Sequence, residues 1–161
     1  MGKIVWEFTN GKKLDKEKFL DYFERKFFRT IRKFSMLPAS RKVVLKRSSD
    51  INNLVIRAVL EKKFSVGFSD EPDFSNENLS QVAEEIFRNV LNGKFVGSKP
   101  EDKPFRPLYF LSDAEIELYA KLKSLQGKRR TPDERIRKLF EKFMTKNPDL
   151  EHNVVNASRQ L

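Results

Sequence analysis

The strongest constraint on this chain is a run of large apolar residues between positions 19 and 34. Phe19, Phe23, Phe27, Ile31 and Phe34 recur at three- and four-residue steps. That spacing lays one apolar stripe along a helix, and the stripe must be covered by the rest of the molecule. Asp15 is placed to cap this helix, which is expected to run to about Phe34. A core is therefore required, and 161 residues with 15 Phe suffice to build one domain's worth of it. On a second face, Arg25, Arg29, Arg32 and Lys33 follow the same step, with Lys26 beside them. Such a stripe either tracks phosphates or is simply a solvated helix face.

Before the helix, residues 4–8 read as a strand, Asn10-Gly11 as a tight turn and residues 12–14 as the returning strand. After Pro38, residues 42–46 read as a buried strand, 50–62 as a helix and 64–68 as a second strand. Residues 69–78 read as an acidic loop. A helix is expected over 78–92, with Gly93 as its left-handed stop. Residues 94–107 read as a Pro- and charge-rich loop, and 108–111 as a third strand. Ser112 and Glu115 form a capping box with a Leu111–Ile116 staple, opening a helix to about Leu125. Thr131-Pro132 is placed to open the next helix, with Asp133 and Glu134 in its first turn. Asn147-Pro148 closes that helix, and the tail is expected to add at most one more turn. Strand–helix alternation from 42 to 111 points to an α/β class: a small parallel sheet flanked by helices, preceded by the hairpin and its helix. The division drawn on sequence is 1–38 and 39–161.

The chemistry is sparse. Without cysteine, the chain has no thiolate for zinc, an iron–sulfur cluster or catalysis, and no disulfide. Its single histidine, His152, lies in a polar stretch and reads as a surface residue. Acidic neighbours such as Glu84-Glu85, and Glu115 with Glu117, read as solvated faces. No cofactor and no metal are expected. No apolar run reaches the roughly 20 residues a bilayer span needs, and residues 1–10 carry no signal-peptide core, so the expected setting is cytoplasmic with no membrane partner. A formal net charge of +10 makes a polyanion, above all nucleic acid, the expected partner. The candidate basic surface is Arg25, Lys26, Arg29, Arg32, Lys33, Arg41, Lys42, Lys128, Arg129 and Arg130, with Arg135 and Lys138 nearby. The alternative for the whole set is solubility.

Four collinear segments resemble the tRNA 2-thiolation proteins of the PP-loop ATPase superfamily. FLDYFERKFFRTIRKF resembles the stretch after that family's N-terminal zinc finger. The preceding NGKKLDKEKF resembles the finger's second half, with Asp15 and Lys18 where the family has a C-x-x-C pair. KVVLKRSSDINNLV resembles the first strand and PP-loop, V-x-V-x-x-S-G-G-K-D-S. Ser48 matches the Ser; Ser49 and Asp50 replace the two Gly, Ile51 the Lys, and Asn52-Asn53 the Asp-Ser. NLSQVAEEIFRNVLNGKF matches N-L-D-D-x-A-x-x-x-x-x-N-x-L-x-G at Asn78, Leu79, Ala83, Asn89, Leu91 and Gly93. FRPLYFLSDAEIELYAKLK matches I-R-P-L-x-x-x-x-x-x-E-x-x-x-Y-A at Arg106, Pro107, Leu108, Glu115 (or Glu117), Tyr119 and Ala120. Residues 135–148 resemble the family's late helix and its trailing Pro.

The resemblance implies a truncated Rossmann-like fold with a shortened middle at residues 61–77. The glycines that let backbone amides approach pyrophosphate, and the Lys that supplies charge, are replaced. It implies a degenerate, non-catalytic paralogue that binds tRNA or serves as an accessory subunit in wobble-uridine thiolation. The eukaryotic thiolation complex contains a catalytically degraded second subunit of this kind. The implied partners are tRNA and either a catalytic paralogue or a second copy of this chain. The other reading is a repurposed nucleic-acid-binding or protein-interaction module with no part in thiolation.

Overall fold

The computed structural model describes residues 2–95, 97 and 99–160. The expected loop at 94–107 is loop where it is described; Val96 and Ser98 lie outside the described residues. The chain opens with an antiparallel hairpin, β1 (Ile4–Glu7) and β2 (Lys13–Asp15). Gly11 takes φ +85° at the turn, a left-handed value that glycine adopts without a Cβ penalty. Helix α1 (Lys16–Lys33) follows at once, with Asp15 accepting from the Lys18 amide at 3.0 Å. Phe19, Phe23 and Phe27 are fully buried along it, and Phe23 stacks on Tyr119 at 4.2 Å between ring centroids.

Next come β3 (Lys42–Leu45), α2 (Ile51–Leu60) and β4 (Ser65–Phe68). The two strands pair in parallel, Lys42 opposite Ser65 through Leu45 opposite Phe68, so this is one βαβ unit. Val43, Leu45, Val55, Ile56, Val59 and Leu60 fill the space between α2, the strands and α1. The hairpin, α1 and the βαβ unit therefore share one core across the boundary drawn at 38/39.

The expected third strand is absent. Residues 108–111 form turns, with the Tyr109 amide donating to Arg106 O and the Leu111 amide to Leu108 O. Leu108, Tyr109 and Leu111 are buried. Pro107 offers no backbone donor to a ladder, and an apolar run without alternation cannot distinguish strand from buried turn. The parallel sheet thus has two strands rather than three.

Helix α3 (Leu79–Leu91) is capped by Asn78, and α4 (Asp113–Leu122) by the expected Ser112/Glu115 box. Helix α4 ends at Leu122, three residues before the expected end, and Ser124 just beyond it takes φ +54°. Helix α5 (Glu134–Met144) is capped by Asp133, not Thr131, because the Asp133 carboxylate takes the Arg135 and Ile136 amides. The tail forms a nine-residue helix, α6 (Leu150–Ser158), longer than the single turn expected. Val155 anchors it in a second core with Leu79, Val82, Ala83, Tyr109, Ile136 and Phe140. The fold is mixed α/β, built from one small parallel unit, a hairpin and helices.

Candidate nucleic-acid interface

The loop from β3 into α2 is the first candidate site. Ser48, Ser49, Asp50, Ile51, Asn52 and Asn53 all lie at the amino end of α2, where helix geometry offers free amides and a positive dipole end. Two of those amides already have acceptors. The Asn53 amide donates to Asp50 Oδ1 at 2.9 Å, and the Ile51 amide donates to Lys128 O at 2.9 Å. Asp50 Oδ2 accepts from Asn53 Nδ2 at 2.8 Å and from Ser48 Oγ, while the Asp50 amide donates back to Ser48 Oγ. The Lys128 amide donates to Ser49 O at 2.9 Å, closing the bridge.

Gly127 makes this approach possible: a Cβ there would lie 2.7 Å from Leu54 Cδ1 and 2.9 Å from Ser49 O. Asp50 has φ −70° and ψ 149°, ordinary extended backbone, and no described residue of 46–53 has a positive φ. The alternating right- and left-handed residues that make an anion nest are therefore missing. Ile51 is buried, and Asn52 donates to Asn76 O at 2.9 Å. The charge nearest the amino end of α2 is a carboxylate.

The ten candidate basic residues divide into groups. Arg25 and Arg29 are exposed on α1, Arg25 in an i,i+4 pair with Asp21 at 3.0 Å. Arg32 and Lys33 are exposed at its last turn, where cations complement the helix dipole. Lys26 is turned inward: it donates to Tyr22 Oη at 3.1 Å and stands 3.7 Å from Glu115. Burial pulls its ammonium below the usual lysine range, against the attraction of Glu115. Arg41 sits over the Phe64 ring at 5.2 Å, and Lys42 is exposed at the start of β3. Lys128 and Arg129 are exposed, and Arg129 lies 3.6 Å from Glu117.

Arg130 is a structural hub. Its guanidinium reaches both Asp113 oxygens, at 2.6–3.0 Å, and Glu84 Oε2 at 2.9 Å. Burial opposes its charge, but these two carboxylates outweigh that and hold it more firmly protonated. Its guanidinium is thus engaged with two carboxylates of the protein itself.

Sequence reasoning missed three lysines. Lys12 and Lys13 on the hairpin and Lys18 on α1 line a groove of about 610 Å³ with Arg25, Lys26 and Arg29. Phe8, Leu14 and Tyr22 supply its apolar surface, and Asp21 is the one carboxylate. The signal was legible in part. The Asn10-Gly11 turn fixes where the hairpin folds back, so it also fixes which face Lys12 and Lys13 share with α1.

A second cavity, of about 390 Å³, lies between the hairpin, α4 and the α5–α6 link. Glu115 is buried there, accepting from Tyr22 Oη at 2.6 Å and from the Ser112 amide. Glu84 is likewise buried, so in each acidic pair one member faces inward while Glu85 and Glu117 face out. His152 is half-buried in this cavity rather than on the open surface. Burial first, then the Lys26 charge, holds its imidazole below the ordinary value. Glu151, whose carboxylate accepts from Ser80 Oγ at 2.9 Å, is raised by burial. Among the described residues, no three His, Asp or Glu side chains gather as a metal-ligand cluster, and no helix is long and apolar enough to cross a membrane.

No family model matches this sequence, and no curated protein does. Among solved structures, the fold is similar to that of the U34-tRNA thiolase NcsA from Methanococcus maripaludis, determined with its [4Fe-4S] cluster. The match has a TM-score of 0.75 and 14% sequence identity, and it covers 98% of this chain and 83% of that chain. At that identity the likeness carries the fold, and the fold is that of the thiolase: α/β and Rossmann-like.

Proposed function

We propose that this chain is a non-catalytic RNA-binding protein of the tRNA-thiolation kind, acting as a tRNA-binding or accessory subunit in wobble-uridine thiolation. The observation that carries the proposal is Asp50. By the sequence resemblance, the β3–α2 loop stands where the family's PP-loop would offer donors to pyrophosphate, and there Asp50 takes the Asn53 amide for itself. Two anions at one helix end repel, so the loop disfavours ATP instead of cradling it. Meanwhile a basic surface persists along α1 and the hairpin. Loss of the nucleotide site with retention of cationic surface fits a subunit that holds RNA while a partner supplies the chemistry. That partner is a catalytic paralogue or a second copy of this chain. The apolar side chains of Val90, Leu91, Phe95 and Phe143, all more than two-fifths exposed, give such a partner something to cover.

Titration calorimetry tests the reading. The purified protein should give no saturable heat with Mg–ATP and a saturable signal with tRNA. Saturable ATP binding that is abolished by Ser48→Ala would show a working nucleotide site and overturn it.

A further inference from the structure

We propose that the groove between the β1–β2 hairpin and α1 grips the backbone of single-stranded or looped RNA. The inference rests on the RNA-binding reading above and names its site. Lys18, Tyr22, Arg25 and Arg29 are spaced four, three and four residues apart, so they share one face of α1 beside the buried Phe19–Phe23–Phe27 stripe. From Lys18 to Arg29 that face spans roughly 16 Å, a length over which one strand of a duplex carries about five phosphates. Lys12 and Lys13 form the facing wall.

The walls are held in place before any ligand arrives. Leu14 is buried against α1, Asp15 caps it, Trp6 packs on Phe19 at 5.4 Å and Phe8 on Tyr22 at 5.0 Å. A rigid groove loses little freedom on binding, which favours affinity. Lysines 16 and 18 also sit in the first turn of α1, at the positive end of its dipole. Cations there disfavour the isolated fold, and an anion in the groove would relieve that repulsion. The partly open rings of Phe8 and Tyr22 give an unpaired base an apolar face to stack on, which a paired helix does not need. A concave channel also fits a strand better than it fits a flat lipid surface.

The test is fluorescence anisotropy with labelled single-stranded RNA and with tRNA across a salt series. Wild type is compared with Lys12→Gln/Lys13→Gln/Lys18→Gln and with Lys121→Gln/Lys123→Gln, at the end of α4, which does not line the groove. All five side chains are exposed, and matching thermal melts confirm that each variant folds. The hairpin variant should bind at least tenfold more weakly, with the slope of log K against log salt reduced by about 2, since each single-strand phosphate contact contributes about 0.7. The Lys121/Lys123 variant should keep the wild-type slope. Wild-type binding to RNA that the hairpin variant retains in full would overturn the groove assignment and leave the RNA reading intact. No wild-type binding even at low salt would overturn both. Equal binding to phosphatidylserine vesicles, lost in the same variant, would overturn RNA in favour of a lipid surface.

Discussion

At the residue scale, two sites mark how this molecule holds itself together without the cysteines of the family its sequence resembles. Asp15 and Lys18 stand where that family has a C-x-x-C pair. Here the same spacing joins an N-cap to the third residue of a helix: Asp15 Oδ1 accepts the Lys18 amide at 3.0 Å. Asp15→Ala should therefore cost about 1 kcal/mol in urea unfolding, and Asp15→Asn should recover most of it. Arg130 is the other marker. It joins Asp113 on α4 to Glu84 on α3, and Glu84 is only 7% exposed. Arg130→Met should destabilise the fold by about 2 kcal/mol, because Glu84 keeps Arg88 and the Asp133 amide on Oε1 but loses its partner on Oε2. Arg130→Lys should not rescue it fully, since an ammonium cannot serve both carboxylates through a planar fork. The caps at Asp15 and Ser112 were legible because each precedes a periodic apolar run. The burial of Glu84 and Glu115 was not legible. Whether a helical carboxylate faces in or out depends on which neighbour covers it, and Arg130 and Tyr22 are 46 and 93 residues away.

At the element scale, the three- and four-residue steps of Phe19, Phe23, Phe27, Ile31 and Phe34 located α1 to within a residue or two. Phe23 lies at the centre of the main core, against Tyr119. Phe23→Ala should lower stability by about 3–5 kcal/mol, seen as a large fall in melting temperature. The βαβ unit was legible from short β-branched runs flanking an apolar helix. The 108–111 run misled because Leu108, Tyr109 and Leu111 are buried as a turn. Composition records that a segment is buried, not that its backbone is paired. Helix α6 was underread for the opposite reason. Its sequence is mixed and its amino end has no side-chain cap, so the burial of Val155 against α3 and α5 does what local signals do not.

At the scale of the whole molecule, the candidate site is a matter of which elements meet. The basic stripe on α1 was visible in sequence, but the groove exists only because the hairpin folds Lys12 and Lys13 over it. The same packing buries His152 beside Lys26, Glu115 and Asp149. Its folded-state pKa is depressed, so the neutral form is favoured in the fold. Its contribution to stability is present above the ordinary value of 6.5 and is lost as pH falls from there through the folded pKa. His152→Gln should flatten the stability profile just below pH 6.5 and leave it unchanged at pH 8.

The proposal that a thiolase-like scaffold here holds RNA in place of a nucleotide has one decisive test. The most direct measurement is binding of purified protein to tRNA at two salt concentrations, with equal-length duplex DNA as competitor. Salt-sensitive binding that prefers tRNA and is indifferent to Mg–ATP is expected. Equal affinity for duplex DNA, or no binding at low salt, would contradict it.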